Sequence, residues 1–151
     1  MSLSIDTNLL VYVQDGRDED KQNVATGLYR RLAERDDVFV GLQVMGELYA
    51  VLTRKLKQEP ATARAAVESL TDVFEPFGYA MTDVHVALAA ASDGVLSYWD
   101  ALLLAASVRA GCTILVSEDM QDGFRFGSIT VMTPFVAGGS NPRLDALLAR
   151  G

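Results

Sequence analysis

The sequence predicts an α/β fold, a three-layer α/β/α sandwich built on a mostly parallel central sheet. Two runs point to it: Thr113-Ile114-Leu115-Val116 and Ile129-Thr130-Val131-Met132 are apolar and β-branched with little alternation, as in strands covered on both faces. Stretches with apolar residues three and four apart precede and separate such runs, which is the periodicity of helices. Strands alternating with helices imply crossover connections and a helical layer on each side of one sheet. The third observation is size, since 151 residues at 50% hydrophobic and 22% charged suit one domain, 1–151, around its own core.

The elements follow in order. Leu3–Ile5 reads as a short buried strand that stops at a polar turn, Asp6-Thr7-Asn8, before a helix from Leu9 to Val13. Asp18 to Arg35 carries Val24, Leu28, Tyr29 and Leu32 on one face, with acids in the first turn and arginines near the end, the charge order a helix dipole favours. Val38-Phe39-Val40 is a second strand. Leu42 to Leu56 places Met45, Leu48, Tyr49, Leu52 and Leu56 on one side, and Pro60 to Phe74 is a further helix opened by its proline. Phe77 to Met81 is a short extended link. Thr82 to Ser92 is an alanine-rich helix. Ser97 to Ala110 is helical and apolar nearly all round, hence buried, and Gly111 ends it; Tyr98 and Trp99 are expected to pack in the core. Residues 136–151 form a loop with two glycines and a proline, then a short terminal helix from Arg143.

Composition excludes several chemistries. One cysteine, Cys112, removes internal disulfides and Cys-rich zinc sites, and one histidine, His85, removes His-x-x-x-His zinc chemistry and two-histidine nucleases. Cys112 reads as a small buried apolar residue and His85 as a structural or surface one. No apolar run approaches the roughly 20 residues of a membrane span, and Met1 leads into Leu3-Ser4-Ile5-Asp6 without a basic leader; a cytoplasmic protein is expected. The net charge of -7 is unfavourable for holding nucleic acid by charge alone. A cation held in an acidic pocket reverses the local sign.

Ligands of open parallel sheets bind beyond the carboxyl ends of the strands, and here those positions are acidic. Asp6 follows the first strand and Asp119 follows the Thr113 strand. Glu47 lies on the shoulder of an apolar helix stripe, and Asp100 is the lone charge in the first turns of the buried Ser97 helix. Four converging carboxylates repel one another and call for a hard divalent cation, Mg²⁺ or Mn²⁺, able to activate water at a phosphodiester. Each acid also has a plain structural reading. Ser97-x-x-Asp100 fits a capping box, Asp6 and Asn8 fit a turn, Asp119 fits the start of a following turn, and Glu47 fits a snorkelling surface residue. Arg54, Lys55 and Lys57 fit either a solvated helix end or a phosphate-binding surface continuing the Glu47 helix.

Four segments together resemble the acidic motifs of PIN domains: Ile5-Asp6-Thr7-Asn8-Leu9-Leu10-Val11-Tyr12, Gly46-Glu47-Leu48, Tyr98-Trp99-Asp100-Ala101-Leu102 and Leu115-Val116-Ser117-Glu118-Asp119-Met120. Their order and spacing are most similar to VapC-type toxins of toxin–antitoxin pairs. The resemblance implies a Mg²⁺- or Mn²⁺-dependent endoribonuclease, with Asp6, Glu47, Asp100 and Asp119 as catalytic and metal-binding acids and Asn8 and Ser117 in support. It also implies an RNA substrate, a homodimer, and a small cognate antitoxin. Glu118 and Asp122 are further acids of the last motif; the spacing after Ser117 selects Asp119. A receiver-like or phosphatase-like domain that binds Mg²⁺ is the alternative, but Asp6 lacks a second acid two residues on, and Met132-Thr133-Pro134 offers no lysine. An inactive PIN-shaped interaction module is the other alternative.

Overall fold

The computed structural model describes residues 1–150; Gly151, the last residue of the expected terminal segment, lies outside the described residues. In chain order the elements are β1 (Leu3–Ile5), α1 (Thr7–Gln14), α2 (Glu19–Ala33), β2 (Val38–Gly41), α3 (Leu42–Arg54), α4 (Pro60–Glu68), a 3-10 turn (Ser69–Asp72) and β3 (Glu75–Phe77). The second half adds α5 (Met81–Ser92), α6 (Tyr98–Arg109), β4 (Ile114–Val116), β5 (Arg125–Phe126), β6 (Ile129–Met132), β7 (Phe135–Val136), β8 (Gly139–Ser140) and α7 (Pro142–Leu148). Six strands form one sheet in the order β3-β2-β1-β4-β6-β5. Every neighbouring pair is parallel except β5 with β6, so the expected mostly parallel sheet is present.

β1 lies at the centre, pairing Ser4 with Phe39 of β2 and with Leu115 of β4. Side chains alternate along a strand, so Leu3 and Ile5 face one layer and Ser4 the other. Ser4 Oγ donates to Ser107 Oγ of α6 at 2.9 Å in the interior, which satisfies a hydroxyl that burial would otherwise penalise. α6 and α5 pack on each other on that face, whereas α1 packs against α2 and α3, and α3 against α4, on the opposite one. All residues of α6 from Ala101 to Ser107 are buried, because the sheet covers one side of the helix and α5 the other. That is the physical reason for its unbroken apolar run. Gly111, with φ +88, ends the segment in the left-handed region that a side chain disfavours.

Besides shifts of one or two residues at helix ends and the short strand β5, which the sequence expectation lacks, four differences bear on the fold. α1 begins at Thr7, with Asp6 as its N-cap accepting from Thr7 N at 2.7 Å, so the polar turn is the helix start itself. The helix expected over Pro60–Phe74 stops at Glu68 and tightens into the 3-10 turn, where the Ser69 and Thr71 hydroxyls donate to the Ala66 and Glu68 carbonyls and compete with helical bonding. The extended link expected over Phe77–Met81 starts two residues earlier, ends at Phe77 and is a strand, β3. Pro76 cannot donate to a ladder, which suits an edge position. Finally, the loop after Val136 is a small hairpin of β7 and β8 turning at Ala137 and Gly138, with Gly138 at φ +90 and the paired Gly139 that follows at φ +146. Among the described residues no helix is long and apolar enough to cross a membrane.

Candidate active site

β1 and β4 run side by side with Ile5 opposite Val116, so Asp6 and Ser117, the next residues of each chain segment, emerge together at the carboxyl edge of the sheet. Asp6 N donates to Val116 O at 3.0 Å and extends that pairing by one step. Ser117 Oγ donates to Asp6 Oδ2 at 2.6 Å and accepts from Asp119 N at 3.2 Å. Asn8 Nδ2 then donates to Asp119 Oδ1 at 2.7 Å, so the first turn of α1 fixes the acid that follows β4. The third carboxylate comes from α6. Ser97 caps that helix by accepting from Asp100 N at 3.2 Å, which occupies the Asp100 amide and leaves its carboxylate to face the other acids. Oxygens of Asp6, Asp100 and Asp119 all lie within 4.8 Å of one another.

Glu47 stands beside this group and outside it. Its Oε2 accepts from Thr7 Oγ1 at 2.7 Å and its Oε1 from Gln43 Nε2 at 3.1 Å. Neither holding residue was singled out in the sequence; the spacing of four between Gln43 and Glu47 on one helix was the available signal, and nothing in the sequence distinguishes buried Thr7.

Burial pushes the Asp6 carboxyl from its usual range up to about 7; the bonds from Ser117 and Thr7 oppose the rise and the nearby Asp119 charge adds to it. Asp100 is also raised, by burial first, with the Asp119 and Glu47 charges adding to it and Ser97 opposing. Among the described residues every ion pair uses some other acid, so none of Asp6, Glu47, Asp100 and Asp119 has a cationic side chain beside it. A set of hard anionic oxygens, partly desolvated and without a counter-charge, fits Mg²⁺ or Mn²⁺ and does not fit a soft metal.

The remaining candidates lie elsewhere. Glu118 accepts from Tyr12 Oη at 2.7 Å and pairs with Lys21 at 3.5 Å. Asp122 accepts from Thr133 N at 2.9 Å and from Asn141 Nδ2 at 3.1 Å, so both acids of the last motif other than Asp119 have structural partners. Arg54, Lys55 and Lys57 are exposed at the far end of α3, roughly 10 Å or more along the helix from Glu47 at 1.5 Å per residue. His85 is exposed, and Cys112 is buried with its thiol pushed up to about 11 by that burial. Trp99 corrects an expectation: it is 59% exposed and not part of the core. It precedes Asp100 in the first turn of α6.

The model of the PIN domain family matches residues 3–125. The structure is similar to VapC20 of Mycobacterium tuberculosis, a sarcin-ricin loop cleaving toxin, at a TM-score of 0.64 and 18% identity over 78% of this chain and 90% of that one. It is similar to DNA-bound VapBC of Salmonella typhimurium at 0.64 and 16%, covering 88% and 98% of the two chains. A toxin-antitoxin complex from Klebsiella pneumoniae gives 0.62 and 21%, covering 89% and 98%. No curated relative matches the sequence. With the family model covering well over half of the sequence and the acids of all four motifs gathered at or beside one sheet edge, the chain belongs to the PIN domain family.

Proposed function

We propose that this chain is a single-domain (1–151), Mg²⁺- or Mn²⁺-dependent endoribonuclease of the cytoplasm, hydrolysing RNA phosphodiester bonds as the toxin of a toxin–antitoxin pair. The observation that carries the reading is the meeting of Asp6, Asp100 and Asp119 within 4.8 Å at the one sheet edge where such folds bind ligands. A bound ion supplies charge that offsets the phosphodiester and makes a nearby water more acidic. The protein's own part is positional. Ser117 and the Thr7 amide hold Asp6, Asn8 holds Asp119, and the Ser97 cap holds the backbone of Asp100. Asp6, Asp100 and Asp119 are the proposed metal ligands. Glu47, restrained by Thr7 and Gln43, is the fourth acid, placed to orient water or a further ion at the rim. Arg54, Lys55 and Lys57 are exposed and supply phosphate contacts to RNA that extends along α3.

The partner reading is a small cognate antitoxin, supported by the likeness to toxin–antitoxin complexes, together with a second copy of this chain, which the resemblance to VapC-type toxins implies. Light scattering of the chain alone and after coexpression with the adjacent reading frame tests both. A phosphoryl-accepting, receiver-like role finds no support, since among the described residues the one lysine paired with an acid, Lys21, holds Glu118 and not Asp6, Glu47, Asp100 or Asp119. The primary test is cleavage of single-stranded RNA in Mg²⁺, Mn²⁺ or EDTA. Cutting that persists in EDTA, or no cutting in either metal across a panel of structured and unstructured RNAs, would overturn the assignment.

A further inference from the structure

A pocket of about 440 Å³ opens directly beside the acids, lined by Leu42, Gln43, Gly46, Glu47, Tyr79 and Trp99. Leu42, Tyr79 and Trp99 are 55%, 52% and 59% exposed. Scattered exposed apolar residues need no explanation, but these three wall one cavity. Trp99 is held in place there. The Tyr98 ring meets it edge to face with centroids 5.0 Å apart, and its carbonyl accepts from Gln43 Nε2 at 3.2 Å. The same Gln43 amide also donates to Glu47, so the aromatic wall and the acidic rim are tied together.

Gly46 shapes the floor. It sits inside α3, where glycine weakens a helix relative to alanine, yet an added Cβ would meet nothing within 4 Å. A side chain there has room in the fold and would take its room from the pocket. Gln43 donates both of its bonds through Nε2, which leaves its carbonyl oxygen to accept from an occupant.

We propose that this pocket receives an unpaired nucleobase of the RNA next to the scissile phosphate, stacked against Trp99 and Tyr79, and that it thereby selects single-stranded substrate; this rests on the ribonuclease reading above. A nucleobase is flat and apolar on its faces, polar at its edge and tethered to a phosphate, which matches aromatic walls, a free carbonyl and a neighbouring acid cluster. A base within a duplex has both faces stacked and cannot enter. Apolar side chains of a second copy are the poorer occupant, because they would bury the Gln43 carbonyl oxygen without a partner.

The test uses the full chain and short single-stranded RNA carrying 2-aminopurine, with anisotropy and fluorescence quenching read in EDTA and cleavage read in Mn²⁺. Trp99→Ala and Gly46→Leu are expected to weaken binding about tenfold and to abolish quenching, while Trp99→Phe keeps most of both. Residual cleavage by the variants stays metal-dependent. An abasic nucleotide next to the cut site is expected to weaken binding to the native chain and to make no difference to Trp99→Ala. Unchanged binding and quenching in both variants, with native cleavage intact, would overturn the base pocket alone. Conversion of a dimer to a monomer by Trp99→Ala would overturn it in favour of a contact between copies. Native protein that neither binds nor cuts RNA would overturn both readings.

Discussion

Ser117 Oγ lies 2.6 Å from Asp6 Oδ2, so one hydroxyl ties the end of β4 to the end of β1 and orients the most buried carboxylate of the site. Ser117→Ala removes the bond that most strongly opposes the rise of the Asp6 pKa. Bonds to charged groups and residues that orient ligands are each worth roughly 10- to 100-fold in affinity or activity. We expect Mn²⁺ affinity and cleavage to fall by about that factor with little change in circular dichroism. A variant with native Mn²⁺ affinity would show that the hydroxyl does not set the ligand.

Asp100→Asn separates capping from ligation. The cap uses Ser97 Oγ and the Asp100 amide, both of which survive the change, whereas one anionic oxygen of the cluster is lost. Cleavage is expected to drop by orders of magnitude. Stability in EDTA is expected to stay the same or rise as repulsion falls. Full activity in the folded variant would count against Asp100 as a ligand.

The pH dependence of the metal-free protein follows from Asp6, whose folded value of about 7 lies above its ordinary 3.8. The folded state therefore binds more protons than the unfolded state between these values. Its stabilising contribution is complete below about pH 4 and is lost as pH rises towards 7, at up to about 1.4 kcal/mol per pH unit. Thermal unfolding in EDTA across this range, compared with Asp6→Asn, isolates the effect; equal slopes in the two proteins would refute it. With Mn²⁺ present the order reverses, because the ion binds the deprotonated acid and gains affinity as pH rises.

Thr7→Val keeps the shape of a buried residue while removing the 2.7 Å bond to Glu47 Oε2. Glu47 keeps only its bond from Gln43 and should sample other rotamers. Cleavage is expected to fall about tenfold, with Mn²⁺ affinity of the Asp6, Asp100 and Asp119 cluster nearly unchanged. Equal losses in affinity and rate would instead place Glu47 among the ligands.

Legibility in the sequence followed from how many constraints each residue meets. Leu115 and Val131 are fully buried, in strands covered by helices on both sides, so their runs are apolar without alternation and easily read. The strand at Glu75-Pro76-Phe77 is held on one side only, is largely exposed, and so carries no such pattern. At the site, Asp6 and Asp100 could be read because each is an acid where burial disfavours one, and exposed Asp119 because it follows a buried strand at the carboxyl edge of the sheet. The position of Glu47 outside their group, and the outward turn of Trp99, depend on side-chain directions that residue spacing does not encode.

The central pairing of β1 with β4 has a kinetic side. Ser117 and Asp6 are separated by 111 residues, and β4 docks only after the intervening helices and β2 have left the ribosome. Long-range closure of this kind comes late in folding. A growing chain that has emerged as far as α6 already carries Asp6, Glu47 and Asp100, but it lacks the strand that brings Asp119 beside them. The acids of the four motifs therefore come together only after β4 has emerged and docked beside β1.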